Sequence, residues 1–578
     1  MRRAACCAAM LMLVVAAPPS RAQSSHRGAG SGSSSKVAAA PAPSPTATAT
    51  ATSGAITRAP GGDLSAAAQR LTTEQAQAIA DVLPAVRRER RGHPRSTREV
   101  IPKPPGRWQV SYYAELLPGE QRREFAQVIV DDRSGEVLEA YTGYKVAWTM
   151  ARGYPGAFGR IVNSPIVWIP LAVLFVVPFL SPRRPRSMLH LDLLVLSAFS
   201  ISLACFNAAE IGWSVPLVYP PLLYLLGRML WIGLRGADAE RQARRPLELL
   251  VPMGWLAIAV VFLLGFRVAL NVTRSNVVDV GYAGVIGADR FADGRALYGA
   301  FPRDNSNGDT YGPAVYAAYV PFEQALPWSG RWDDLPAAHA AAIAFDLLAC
   351  ALCFLIGRRV RGPDLGIVLA YAWVTFPFTL YASMTNSNDA LVAVLVLGAL
   401  LLIGRPLARG AMVALAGLTK FAPLVLAPLF ATHGSEPGRR LPSRRALVLF
   451  ATGFAVAAAL AFVPVLANNS LRSFWDASIA FQAQRGSPFS VWGLYEGEWI
   501  DRVQLVVQIC SAGGALLLAL VPRRADLVGL AALSAAILIA LQLGVTHWFY
   551  LYIPWFFPLV MIALLGRMGP PVRVALRG

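Results

Sequence analysis

A chain of 578 residues that is 55% hydrophobic and carries a formal net charge of +19 is too apolar to be one soluble domain. Repeated runs of about 20 apolar residues, each able to cross about 30 Å of hydrocarbon, make it a multi-pass membrane protein. The arginines stand mostly in short loops beside those runs, which is the bias of inward-facing loops, so the charge calls for no nucleic acid partner.

In chain order, Arg2 and Arg3 precede an apolar run ending near Ala17, and Ser20-Arg21-Ala22 offers a cleavage site after Ala22. Residues 1–22 read as an export signal. Residues 23–62, rich in Ala, Ser, Thr and Pro, have too little bulky apolar content for a core and read as a disordered linker. A small folded domain is expected over residues 63–150. Apolar spacing predicts a helix over 64–86 with a cap near Thr72-Thr-Glu-Gln75, and alternation predicts strands over 108–116, 125–130 and 136–144. The stretch "VIVDDRSGEVLEAYTG" in this helix-then-meander pattern resembles a PepSY-type domain, which implies extracytoplasmic regulation or binding.

Eleven spans are predicted: 161–180, 188–206, 214–234, 249–270, 337–357, 363–382, 389–404, 446–467, 502–521, 526–545 and 548–566. With the small domain outside, the arginine clusters fall in inside loops and in a cytoplasmic tail, 567–578. The expected location is a bacterial plasma membrane, with the small domain extracytoplasmic. The outside connections include residues 271–336 and 468–501. Residues 407–431 lie between two arginine-bearing inside loops and are too short for two crossings at about 1.5 Å per residue. They read as a re-entrant helical pair broken at Thr419-Lys-Phe-Ala-Pro423.

Ionisable groups near membrane depth are functional candidates by default. Asp279 lies just beyond the edge of span 249–270, in an outer connection that also carries Asp289, Arg290, Asp309 and Tyr311. Lys420, one of four lysines in the chain, sits at the break of the apolar hairpin and needs an anion; a lipid phosphate would serve. Arg485 and His547 stand at outer edges, and Trp475 and Trp492 are available to stack on sugar faces. Cys350 and Cys353 share a helix face and read as packing. No carboxylate or histidine cluster has metal-ligand spacing, and no cofactor is expected.

Four stretches, in this order and placement, resemble the GT-C superfamily of membrane glycosyltransferases, and within it glycosyltransferase family 87. They are Asp279 with "GADRFADGRALYG", "TYGPAVYAAYVPF", "SNDALVAVLVLGALLL" with "GLTKFAPLVLAPL", and "HWFYLYIPWFFPL". Gly312 departs from the family's pattern, which often has a proline or an aromatic there. The resemblance covers residues 249–566 and leaves 161–234 as three additional spans. It implies a GT-C-like helical membrane fold with the small α+β domain appended. The implied activity is inverting transfer of a hexose, mannose by family, from a polyprenyl-phosphate donor to an extracytoplasmic lipid or cell-envelope glycan.

In those terms Asp279 is the base, and Lys420, Arg485 and His547 hold the donor phosphate. Asp289, Arg290, Asp309, Tyr311 and Trp492 are candidates for contacting sugar or acceptor. A polyisoprenoid transporter or flippase is the first alternative, because Arg228 and Asp346 carry charge inside spans. A sensor or assembly scaffold built on the small domain is the second.

Overall fold

The computed structural model describes residues 70–103, 106–114, 124–153, 158–235, 246–432, 442–495, 497–522, 524 and 526–573. The signal segment, the linker, the arginines at 241, 244, 245, 439, 440 and 523, and the end of the tail lie outside them. The chain divides into two compact units at Arg152/Gly153.

In the first unit, α1 (Thr73–Asp81) begins at a capping box. The Thr72 hydroxyl accepts from the Gln75 N–H (3.3 Å), and the Gln75 side chain accepts from the Thr72 N–H (2.9 Å). The helix predicted over 64–86 stops short, and α2 (Pro84–Gly92) starts afresh at a proline that has no N–H to continue the ladder. Strands β1 (Thr97–Lys103), β2 (Arg107–Tyr113), β3 (Glu124–Asp131) and β4 (Val137–Thr142) pair in order as an antiparallel meander. Alternation missed β1 because it is an almost fully exposed edge strand. The core gathers Ala76, Ala80, Trp108, Val110, Phe125 and Val128. Buried Asp132 accepts from the Trp108 indole (2.8 Å) and from the N–H groups of Arg70 and Leu71.

The second unit is helical: α3 (Pro165–Val176), α4 (Met188–Asn207), α5 (Ile211–Leu234), α6 (Met253–Arg274), α7 (Asp279–Ala292), α8 (Pro313–Ala325), α9 (Pro336–Arg361), α10 (Pro363–Thr375), α11 (Pro377–Met384), α12 (Asp389–Leu401), α13 (Pro406–Thr419), α14 (Ala427–Thr432), α15 (Arg444–Leu466), α16 (Glu498–Leu518), α17 (Leu527–Leu543) and α18 (Ile553–Gly566). A short parallel pair joins β5 (Pro246–Leu249) to β6 (Gly569–Arg573).

Among the described residues six helices (α4, α5, α6, α9, α15 and α16) are long and apolar enough to cross a membrane. The segment predicted as span 363–382 is the pair α10 and α11, bent by 58° at Phe376-Pro377; counted as one span it makes seven. The predicted spans 161–180, 389–404, 526–545 and 548–566 correspond to shorter apolar helices of 10–17 residues. Residues 407–431 are likewise broken: α13 ends at Thr419, and a 3₁₀ turn over Ala422–Leu426 leads into α14.

The long outer connection, residues 271–336, carries two helices of its own. α7 and α8 bury Tyr282, Ile286, Tyr316 and Tyr319 in one cluster with Phe345 of α9. The glycines of α7 weaken its helical signal in the sequence, although packing holds the helix.

Both charges noted inside spans are closed pairs. Arg228 meets Asp192 through Nε and Nη2 (3.0 and 3.1 Å), and Tyr224 donates to the same carboxylate (2.7 Å). Arg267 of α6 grips Asp346 of α9 through Nε (2.8 Å) and Nη2 (2.5 Å) and donates to the Val374 carbonyl, while the Trp373 indole donates to Asp346 (2.9 Å). Only 1% and 5% of the two side chains is exposed, so losing one partner strands a buried charge. Arg267→Met alone is expected to destabilise by about 3–5 kcal/mol, and the double variant Arg267→Met/Asp346→Leu by much less. Thermal unfolding of the purified protein in detergent checks both.

Candidate functional site

Helix α13 ends where Lys420 takes up extended backbone, which turns its side chain toward the start of α12. There the ammonium meets a carboxylate that had no assigned role in the sequence: Lys420 Nζ lies 2.6 Å from Asp389 Oδ1. Asp389 is fully buried and also accepts from the Trp555 indole at 2.9 Å. The rings of Trp555, Tyr311 and Tyr552 surround the ammonium at 5.3, 5.5 and 5.6 Å, within the range of cation–π attraction. Lys420 retains 9% exposure, so it does not snorkel to an outer surface. It is a buried cation with a protein counter-ion and a small accessible face.

Gly312 explains how Tyr311 reaches this cage. A Cβ at position 312 would stand 2.0 Å from the Leu418 carbonyl oxygen, so only glycine lets the start of α8 lie against the end of α13. The departure from the family's usual residue is a close backbone contact.

Asp279 opens α7 and faces the same region. Its carboxylate lies within electrostatic reach of Arg485, Lys420 and Asp389. The residue keeps an exposed surface although protein crowds it, so it lines a recess. Burial pushes its carboxyl above the ordinary aspartate range, against the opposing pull of the Val280 N–H and of the Arg485 and Lys420 charges. Tyr311 and Tyr552 are coupled to Asp279, Asp389 and Arg485 alike.

His547 completes the cluster. Ser487 bonds its Nδ1 at 2.8 Å, and Phe489 and Tyr552 lie against its ring. Burial lowers its pKa well below the usual histidine value, and the charges of Arg485 and Lys420 lower it further. It is therefore neutral at pH 7 and suited to hydrogen bonding rather than to supplying charge.

The structure thus brings together Asp279, Tyr311, Lys420, Arg485 and His547 from five separate stretches of chain, and adds Asp389, Tyr552 and Trp555. The remaining candidates have partners of their own. Asp289 is ten residues along α7, about 15 Å by helical rise, where it pairs with Arg295 (2.5 Å); Arg290 donates to the Ala296 carbonyl (2.8 Å). Asp309 is buried as an acceptor for the Gly299 N–H (2.6 Å) and holds the loop between α7 and α8. The Trp492 indole caps the Leu543 carbonyl at the end of α17 (2.7 Å). Among the described residues no group of three or more His, Cys, Asp or Glu side chains is placed to hold a metal.

Asp389 was findable in principle. An acid opening an apolar helix needs a counter-ion, and Lys420 was the cation awaiting one.

A bundle of apolar helices around a charged, aromatic-walled recess defines a membrane-embedded protein with a polar site. The model of Glycosyltransferase family 87 matches residues 310–545, and the chain is a membrane glycosyltransferase, with a sugar donor and an acceptor as its substrates. No curated protein matches the chain. Tyr311, Asp389, Lys420, Arg485 and Trp492 fall inside the matched region; Asp279, Asp289, Arg290, Asp309 and His547 fall outside it.

Two stability effects follow. Lys420→Met strands the buried Asp389 carboxylate and is expected to cost about 3–5 kcal/mol, most of it recovered in Lys420→Met/Asp389→Asn. For Asp279 the folded pKa lies above the unfolded one, so between the two values the unfolded chain gives up its proton first and stability falls as pH rises. Asp279→Asn lacks this loss and should match or exceed the parent in melting temperature, with the gap widening from acidic to neutral pH. Melting curves across that range decide both.

Proposed function

We propose that the protein moves a hexose, mannose by family resemblance, from a polyprenyl-phosphate donor to a lipid or cell-envelope glycan acceptor on the outer side of a bacterial plasma membrane. One observation carries this reading: a crowded carboxylate and several basic side chains line one recess of a glycosyltransferase.

The chemistry is a single displacement. Asp279 takes the proton of the acceptor hydroxyl as that oxygen attacks the anomeric carbon. The bond from that carbon to the phosphate oxygen breaks with its electron pair on the phosphate, and the configuration inverts. An acid with a raised pKa is a stronger base once ionised. The departing phosphate gains charge density that Lys420 and Arg485 stabilise, with a hydrogen bond from neutral His547. Lys420 is compensated by Asp389 and contributes as an oriented donor with partial charge. Tyr311, Tyr552 and Trp555 supply apolar faces and hydroxyls against which a sugar ring can stack. A second carboxylate is not needed, because the phosphate leaves without protonation.

The transporter reading drew on charges inside spans, and both of those charges are engaged in closed pairs. For the first unit we propose regulation or partner binding, in keeping with its PepSY-like sequence.

Asp279→Asn is expected to lower transfer of labelled mannose from polyprenyl-phosphate mannose by about two to four orders of magnitude, with donor binding retained. In the parent, kcat/KM should rise with pH through a value above the ordinary aspartate range. An Asp279→Asn variant that transfers at the parent rate removes Asp279 as the base. Deleting residues 23–150 behind the signal should leave an inserted, active core. An inserted but inactive deletion would assign the first unit a share in the site.

A further inference from the structure

The turn between α11 and α12, residues 384–389, touches both sides of the recess. On one side it pairs with the segment that delivers Asp279. The N–H groups of Asn276 and Val278 donate to the carbonyls of Met384 (3.3 Å) and Thr385 (3.1 Å). Asn386 then closes the contact. Its side chain is fully buried; its Oδ1 accepts from Asn271 Nδ2 (2.8 Å), and its Nδ2 donates to Ser275 Oγ (2.9 Å) and the Asn276 carbonyl (3.0 Å). Asn271 also donates to the Ser383 carbonyl (2.7 Å) and meets His339 Nδ1 at 2.9 Å, so the amide network reaches into α9.

Asn386 holds φ at +51°, a left-handed conformation that asparagine tolerates better than most residues. Its carbonyl lies against the first turn of α7, where a Cβ on Gly281 would come within 2.2 Å of the oxygen. Three residues later the same turn supplies Asp389, which grips Lys420 at 2.6 Å.

We propose that residues 384–389 are a clasp that sets the separation between the Asp279 carboxylate and the Lys420 ammonium, with Asn386 and Asp389 as positioning residues. The inference rests on the recess being the site of transfer. A base on one helix start and a phosphate donor at another helix break have no direct bond to each other. Their spacing must be held by a third element, and misplacement of about 1 Å is enough to cost a displacement reaction much of its rate. Four of its six residues, Met384, Thr385, Asn386 and Asp389, bond the Asp279 segment or Lys420, so the clasp ties the two together.

Asn386→Gly keeps the left-handed backbone accessible and deletes the side-chain bonds. Ser275→Ala removes one bond of the same network and serves if the glycine variant does not insert. The direct readout is an infrared titration of the full-length protein in lipid nanodiscs, with the Asp279 carboxyl band assigned by its loss in Asp279→Asn. In Asn386→Gly the band should titrate lower by about one pH unit or more, as the carboxylate relaxes toward water.

In transfer from polyprenyl-phosphate mannose, Asn386→Gly should lower kcat by about 10- to 100-fold with little change in donor KM, whereas Asp389→Asn should raise donor KM. In an Asp279→Asn background, Asn386→Gly should cost no further rate. An unchanged Asp279 titration, or a rate loss that multiplies undiminished in the Asp279→Asn background, overturns the clasp and leaves Asn386 a packing residue. A parent that transfers nothing from this donor argues against the proposed function, and the titration still decides the clasp.

Discussion

Lys420 and Asp389 form an ion pair almost wholly removed from water, and much of the site is arranged around keeping it. Neither charge is tolerable alone in an apolar helical body, because desolvation costs more than any single weak contact returns. The pair therefore fixes the break after α13 to the start of α12. Trp555 of α18 satisfies the same carboxylate, and Tyr311 is drawn over the ammonium by a glycine that lets two backbones touch. Elements distant in the chain are thereby held at one point. Asp279 is delivered to its edge by the turn that also ends in Asp389.

The recess is braced from outside the matched region. The hydroxyl of Tyr550 sits 2.7 Å from both Ser202 of α4 and Ser214 of α5. The Tyr219 hydroxyl, also on α5, accepts from the Val491 N–H (3.1 Å). These bonds support the segments around residues 487–491 and 547–552, which carry His547, its partner Ser487 and Tyr552. Helices α4 and α5, outside the resemblance on sequence, thus belong to the same compact unit as the site and stabilise its walls. Such polar contacts between apolar helices are each modest, about 1 kcal/mol, yet they fix orientation where hydrophobic packing alone does not.

What could be read from the residues followed the physics each reading used. Hydropathy located the apolar segments, and the breaks near Pro363, Pro406 and Lys420 were legible as boundaries; the bend at Pro377 inside the run 363–382 was not, because a sliding window averages across it. The outer connection read as a loop because glycines mask α7 and because Pro313 at the head of α8 signals only a start. Rarity and cost of charge near hydrocarbon singled out Asp279, Lys420, Arg485 and His547, and the fold gathers all four. The same reasoning stopped short of Asp389: an acid opening an apolar helix needs a counter-ion, but matching it to Lys420, 31 residues away, required pairing two separate segments. Asp289 lies ten residues along α7 from Asp279, about 15 Å by helical rise, and Asp309 is engaged by the Gly299 N–H.

The central claim is that the recess between Asp279 and Lys420 holds a lipid-phosphate sugar with its anomeric carbon before the carboxylate. An electron cryomicroscopy structure of the full-length protein with a non-transferable polyprenyl-phosphonate mannose tests it most directly. The account predicts phosphonate density against Lys420 and Arg485, the sugar between Tyr311 and Tyr552, and the anomeric carbon facing Asp279 with room for an acceptor hydroxyl between them. Headgroup density bound elsewhere, with the recess closed over Lys420 and Asp389, would contradict it.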